Sequence, residues 1–416
     1  MSAIQTITKQ KTQTAVTIKS VKIEKLFEIF DYDIEFADGE NVLIITGPNG
    51  FGKTTILRIL YSLFESEWEH DYDEDYPGYP HPFEDFLDPP FYFLEKLIFD
   101  KISISLSDNT TILVKKVLGK HSLSFTFYDT NGKLIDSPPT IKNGNYDFSD
   151  KEKDIANCIN IYLIKEQRSQ IKTITHNFHT DNDPEYIEKA EDTIEFHSKK
   201  LREISADFLK QYHNKSQSLD NSYPTRLISE KRKITKEEYD KRFTSLREKQ
   251  NKLIKYGLYE KQATLEYSEE DAKALLVYLN DLEKKLSVFD ELLAKLDLFT
   301  EILNKRRFTF KIIKVNSEKG FYFETSKGKN LKMNELSSGE RHQVILLYEL
   351  IFNTTPNTLV LIDEPEISLH ITWQKEFVKD LMKIIELQNF QVMIATHAPA
   401  IVNDRWDLVY SLAKTI

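Results

Sequence analysis

The chain of 416 residues carries 56 Lys and Arg against 66 Asp and Glu, a formal net charge of −10, with 40% hydrophobic residues. That length suits roughly two to three domains with real cores, the apolar fraction excludes a disordered chain, and the acidic balance argues against wholesale coating of nucleic acid. A lone cysteine, Cys158, excludes a disulfide framework and any cysteine-based metal cluster, and no apolar run reaches the length of a membrane span, so a cytoplasmic setting is expected.

In chain order, "AVTIKSVKIEKLF" and "YDIEF" within 15–46 read as strands and lead to "NVLIITG", an unbroken apolar strand of the buried kind. A turn over 47–53 follows, and then Ile56, Leu60, Leu63 and Phe64 recur at helical spacing. The acidic, aromatic stretch 65–90 reads as a surface loop. Between about 98 and 135, "KISISLSD", "TTILVKKVLG" and "SLSFTFYD" alternate between turn signals, the pattern of an antiparallel meander. "CINIYLI" (158–164) is a further apolar strand. From about 183 to 307 long, charged helices are expected. The last of them is read as opening at Ser268 with Asp271 three residues on; if continuous to Arg307 it would be ~60 Å long at about 1.5 Å per residue. Leu275, Leu279, Leu282, Leu286, Phe289, Leu293 and Leu296 step along it as an a/d seam, open to packing within its own domain or against a partner helix. Strands return after 307.

Four of the 12 glycines, Gly47, Gly50, Gly52 and Gly339, fall within the two short segments 47–54 and 336–340, which marks these as places of unusual backbone or close approach to a ligand. "GPNGFGKT", Gly47 to Thr54, fits G-x-x-x-x-G-K-[ST] between a buried strand and an amphipathic helix. Such a loop binds a triphosphate through closely approaching backbone N–H groups and the helix N-terminus; Lys53 would reach the β- and γ-phosphates and Thr54 would offer its hydroxyl to Mg²⁺. "TLVLIDEP" is an apolar strand ending in Asp363 and Glu364, with Asp363 suited to Mg²⁺ and Glu364 to polarising an attacking water. "LSSGE", Leu336 to Glu340, heads a helix and serves either as an N-cap with an acid in its first turn or as a phosphate grip through Ser337 and Gly339. "QVMIATHAP" delivers Thr396 and His397 at a strand end, where the histidine is either structural or a partner for the γ-phosphate or the attacking water.

Taken in this order, the motifs resemble the ABC-type ATPase heads of the SMC/RecF/OLD group. The matching parts are Walker A at Gly47–Thr54, signature at Leu336–Glu340, Walker B at Leu359–Glu364, D-loop near Ser368–His370 and switch histidine at His397. Within the group, "LIDEPEISLHITWQ" and "ATHAPAIVNDRWDLVYSL" are most similar to the small ATPases of bacterial anti-phage operons, such as the Septu, PARIS and retron-associated ATPases. The fold so implied is an α/β ABC-type ATPase head, a mixed sheet core plus an antiparallel lobe, with a helical, partly coiled-coil insertion. Its parts would be 1–180 and 308–416 for the head and 181–307 for the insertion.

The resemblance also implies the site. Gly47, Pro48, Asn49, Gly50, Gly52, Lys53, Thr54, Thr55, Ser337 and Gly339 would hold ATP; Thr54, Asp363 and Gln167 would hold Mg²⁺; Glu364, His397 and Gln167 would act in hydrolysis. Phe27 or Phe30 would stack on adenine. Ser338 departs from the group's pattern, which commonly has a second glycine there. In such heads Ser337 and Gly339 of one copy close on the nucleotide bound by another, so a homodimer, alone or within a higher assembly of dimers, is implied, with ATP as the joining element. The insertion is far shorter than an SMC arm and suits a lever or docking platform. The basic clusters at 198–202, 230–233 and 304–307 are interleaved with acids and read as a solvated face, or else as a nucleic-acid contact.

An OLD protein would continue past His397 into a nuclease domain, and none is expected here. The function so implied is a sensor and switch that controls a separate effector, a nuclease or toxin, in anti-phage defence. The alternatives are a RecF-like ATPase of DNA maintenance and, against the long insertion, a transporter-coupling ATPase.

Overall fold

The computed structural model describes residues 16–64, 91–117, 122–135, 140–142, 145–164, 170–177, 185–261, 265–305, 308, 310–367 and 369–415. The stretch 65–90, Gln167, Ser368, Arg306 and Arg307 lie outside the described residues. Contacts divide the chain into two compact units, one drawn from Met1–Arg168, Lys172–Lys189 and Asn353–Ile416, the other from Ser169–Ile171 and Ala190–Phe352.

The first unit is built on two sheets of opposite character. One is antiparallel throughout, in the order Phe30–Glu35, Ile18–Leu26, Lys101–Leu106, Thr111–Lys116, Leu123–Tyr128 and Leu134–Ile135. Its middle strands bury every second side chain, Ile102, Ile104 and Leu106 on one and Leu123, Phe125 and Phe127 on another, which is why their sequences alternate. The other sheet is parallel throughout: Asn160–Ile164, Thr358–Asp363, Gln391–Thr396, Val42–Thr46 and Val409–Ser411. Its inner strands are buried on both faces, so Val42–Ile45, Leu359–Ile362 and Val392–Ala395 are apolar without a break. Helix Lys53–Phe64 covers this sheet with Ile56, Leu57, Ile59, Leu60, Leu63 and Phe64.

Register decides where the site lies. Thr46 pairs with Thr396, and Asp363 pairs with Ala395, so three parallel strands end level with one another. Strand Gln391–Thr396 stands between the strand that precedes the glycine turn and the strand that ends in Asp363. Whatever follows these strands emerges along the carboxyl edge of the sheet, where α/β folds bind ligands.

The second unit combines helices with a small antiparallel sheet. Helix Thr193–Ser229 packs against Ala272–Leu286, which also meets Lys236–Lys255; Asp290–Lys305 packs against strand Lys311–Asn316, and Ser338–Phe352 against both Thr193–Ser229 and Asp290–Lys305. By compactness this unit extends to Phe352.

Three sequence expectations change here. Glu185–Asp192 is a strand rather than the start of the helical region, and the helix begins at Thr193, capped by the Asp192 carboxylate accepting from the Ile194 amide at 3.2 Å. The helix expected from Ser268 begins instead at Ala272. Tyr239 donates its hydroxyl to the Leu265 carbonyl at 2.7 Å and Tyr267 donates to that of Ile234 at 3.2 Å, contacts that hold 265–268 out of the helix. The helix is also not continuous: Ser287–Phe289 tightens into a 3₁₀ turn before Asp290–Lys305. Side chains three apart eclipse in such a turn, and Leu286 and Phe289, both fully buried, are three apart. The seam residues Leu275 to Leu296 are all buried inside this unit.

Candidate active site

The turn between strand Val42–Thr46 and helix Lys53–Phe64 depends on two left-handed residues, Gly50 at φ +86° and Gly52 at φ +85°. A side chain at Gly52 would also crowd Leu26 Cδ2, 3.1 Å from its Cβ position. The turn returns the chain to the sheet edge and opens the helix there, leaving first-turn N–H groups without intrahelical partners. Lys53 is 6% exposed, and its ammonium donates to the Gly47 carbonyl at 2.8 Å and the Pro48 carbonyl at 3.2 Å. Asn49 is exposed on this turn, and Thr55 is half-buried in the first turn of the helix.

Next to it, the Thr54 hydroxyl donates to Asp363 Oδ1 at 3.2 Å. These are hard oxygen donors on adjoining elements, the set that suits a small divalent cation such as Mg²⁺. A buried lysine held against the carbonyls of the turn, beside paired oxygen donors, fits the triphosphate and metal expected from the sequence.

Glu364 leaves its strand at φ +43°, a left-handed conformation that L-residues adopt at a cost of roughly 1–3 kcal/mol. Its amide donates to the Ala395 carbonyl at 2.9 Å, and its Oε1 lies 3.3 Å from His397 Nδ1. Backbone strain therefore falls on the residue suited to act as a base.

Glu366 escaped the sequence reading. Its carboxylate is buried against the strand end that carries His397, with Oε1 accepting from the Thr396 hydroxyl at 2.6 Å. The available signal was a second acid, after Pro365, at the exit of a strand already marked by Asp363 and Glu364. Of the aromatic candidates, Phe30 lies beside Phe51 of the glycine turn, ring centroids 5.2 Å apart, and Phe27 borders Gly52. Tyr32 donates its hydroxyl to the Phe51 carbonyl at 2.8 Å, and burial pushes that hydroxyl up to about 12.

The structure thus gathers Gly47, Pro48, Lys53, Thr54, Asp363, Glu364 and His397 in the first unit. Ser337 and Gly339 belong to the second. There Ser337 and Glu340 cap the helix Ser338–Phe352 reciprocally: the Ser337 amide donates to Glu340 Oε2 at 2.7 Å, and the Glu340 amide to Ser337 Oγ at 3.3 Å. Lys311 Nζ adds an ion pair to Glu340 at 2.8 Å. Burial would raise the Glu340 carboxyl, but the hydrogen bonds from Lys311 and Ser337 prevail and hold it below the usual glutamate range. Arg341, one residue on, pairs with Asp192 at 2.5 Å.

A parallel sheet with this turn, these carboxylates at its edge and an antiparallel lobe is the fold of an ABC-type ATPase head. The chain belongs to the family described as AAA ATPase domain, matched over residues 17–402, and ATP hydrolysis is the activity that membership implies. Over 55 residues, 13% of the chain, it is 47% identical to the cytochrome c biogenesis ATP-binding export protein CcmA of Rhizobium meliloti (strain 1021); it spans about a quarter of that relative, 26% of its length. Similar solved structures include two SMC heads. One is an Smc head domain with an extended coiled coil from Pyrococcus furiosus, bound to the C-terminal domain of ScpA, at 15% identity and TM-score 0.38, covering 93% of this chain and 91% of that one. The other is an SMC head domain from Thermotoga maritima, at 13% identity and TM-score 0.35, covering 95% and 94%. No helix among the described residues is long and apolar enough to cross a membrane.

Proposed function

We propose that this chain is an ATP-binding and ATP-hydrolysing switch subunit that works as a homodimer clasping two nucleotides and controls a separate effector in bacterial anti-phage defence. The observation that carries the ATPase part is the convergence of Thr54 with Asp363 and of Glu364 with His397 at the edge of one parallel sheet. The defence setting is supported by the resemblance of "LIDEPEISLHITWQ" and "ATHAPAIVNDRWDLVYSL" to ATPases of anti-phage operons. In this reading 1–180 and 308–416 form the head and 181–307 is an insertion offered to partners.

The turn's backbone N–H groups and Lys53 neutralise the phosphates and orient the substrate. Thr54 and Asp363, with Gln167, would hold Mg²⁺, which supplies electrophilic stabilisation of phosphate charge when bound. Glu364 takes the proton of the attacking water. His397, within reach of the Glu364 carboxylate, fixes that carboxylate and can hydrogen-bond the γ-phosphoryl group. Ser337 and Gly339 of the second copy complete the nucleotide site, so ATP, bound by both surfaces, favours the closed dimer and hydrolysis releases it.

The ion pairs within the basic clusters support a solvated face over a DNA surface: Lys200 pairs with Glu203 at 3.0 Å and Arg232 with Glu238 at 2.6 Å. The test is sedimentation with Mg²⁺ and ATP, followed by phage challenge. ATP should convert monomer to dimer in the Glu364→Gln protein, and Ser337→Arg should prevent it. In cells that carry the neighbouring genes, Glu364→Gln should abolish protection. Unchanged protection, together with tight, steeply salt-dependent binding of DNA, would replace this reading with a RecF-like one.

A further inference from the structure

Glu366 stands three residues past Asp363, and its side chain is 5% exposed. Its Oε1 accepts from the Thr396 hydroxyl at 2.6 Å, the His397 amide at 3.0 Å and the Ala398 amide at 3.2 Å, and also lies 3.2 Å from His397 Nδ1. Its Oε2 is buried with no hydrogen-bond partner among the described residues. Removing a carboxylate from water with half its acceptor capacity unused costs free energy, so tying down a turn is a poor reason for an acid here. A neutral acceptor would meet the same donors with less desolvation but would hold them, and the His397 ring 3.2 Å away, less strongly.

The topology supplies a better reason. Asp363 and Ala395 are paired neighbours, so the two strands release Glu364–Glu366 and Thr396–Ala398 side by side. The Glu366 carboxylate bridges these two exits. Every donor it takes belongs to the segment that carries His397, and the His397 imidazole reaches Glu364 Oε1 at 3.3 Å.

We infer that Glu366 is a positioning residue for hydrolysis, which sets His397 against Glu364 by gripping Thr396, His397 and Ala398. The inference rests on the assignment of Glu364 and His397 to hydrolysis given above. Glu366 touches neither nucleotide nor attacking water in this scheme; its effect passes through His397. Removing its charge should slow turnover while leaving the nucleotide's hold on the turn and Lys53 intact.

The experiment compares Glu366→Gln, Glu366→Ala, His397→Ala and the double variant Glu366→Gln/His397→Ala. It measures the affinity for a slowly hydrolysed ATP analogue with Mg²⁺, kcat and KM for ATP, and the melting temperature. Glu366→Gln keeps the size of the side chain and an acceptor oxygen; it should hold analogue affinity and KM within about threefold of the parent and lower kcat by roughly tenfold or more. In the His397→Ala background the same change should cause no further loss, because residues acting through one another are not additive. Independent, multiplying losses would overturn the inference, as would a raised KM at unchanged kcat. If Glu366→Ala does not fold, Glu366→Gln and the double variant decide. Glu364→Gln separates the two levels. If it abolishes hydrolysis while Glu366→Gln equals the parent, the positioning role alone fails; if Glu364→Gln itself hydrolyses ATP normally, the assignment beneath it fails and the inference with it.

Discussion

The Thr54 hydroxyl donates to the Asp363 carboxylate at 3.2 Å although 309 residues separate the two in the chain. If the pair holds Mg²⁺ as proposed, Asp363→Asn keeps its shape but should weaken that hold. Phosphate release at saturating ATP should fall by roughly 10²-fold, and half-maximal activity should need more Mg²⁺. Thr54→Ser, which keeps the hydroxyl, should stay close to the parent, whereas Thr54→Val should follow Asp363→Asn. A Mg²⁺ titration of steady-state hydrolysis decides it, and an Asp363→Asn protein with parental metal dependence would remove the pair from the metal site.

The second unit contains a close approach that only glycine permits. Gly320 sits at φ +74°, and a Cβ there would lie 2.0 Å from the Ser198 carbonyl oxygen, while Ser198 Oγ donates to the Phe321 carbonyl at 2.8 Å. Gly328 has nearly the same backbone, φ +78°, with nothing within 4 Å of its Cβ position. Both alanine variants meet the left-handed penalty, about 1–2 kcal/mol, but Gly320→Ala must also push a strand turn away from a helix backbone. It should therefore lose about 3 kcal/mol or more, clearly beyond Gly328→Ala. Urea denaturation measures the difference. Equal losses would show that the helix yields at no cost.

The same contrast explains what was legible in the sequence. The glycine turn, the apolar strands around it and the alternating meander each declare themselves within about ten residues. Asp363 was readable as a candidate because it ends an unbroken apolar run, and Glu364 and His397 because each stands one residue beyond such an end. Glu366 was not, since its meaning lies in Thr396 and Ala398, some 30 residues away, and one acid after a proline has no pattern of its own. The overextended helix from Ser268 failed for a related reason: heptad spacing survives a 3₁₀ turn, and the tyrosine hydrogen bonds that hold 265–268 are tertiary. Lys311 on Glu340 likewise joins a strand to a motif with no shared periodicity.

Cys158 gives a probe of the first unit. Burial pushes its thiol up to about 12, with Asp108 adding to the effect. At pH 8 a folded thiol of that kind has roughly 10³-fold less thiolate than an unperturbed one. Iodoacetamide should therefore modify native protein slowly at pH 8 and the urea-unfolded chain rapidly, as mass spectrometry would record. Rapid native labelling would mean that the strand Asn160–Ile164 and its approach open readily.

Acid offers a separate test of the capped helix that carries Ser337. The Glu340 carboxyl is held below its ordinary value of 4.5, against burial, by Lys311 and Ser337. A depressed carboxyl favours folding fully above its unfolded value, and the benefit disappears as pH falls through the lower folded value. The melting-temperature advantage of the parent over Glu340→Gln should therefore be constant from pH 7 to about 5 and shrink below pH 4.5. Lys311→Met should shrink that advantage and raise the pH at which its decline is complete, with the onset still set by the unfolded value, because the carboxylate loses the ammonium 2.8 Å away. If the advantage instead grew on acidification, the protonated acid would be the stabilising form, and the Ser337 cap would have to be rebuilt around a donor rather than an acceptor.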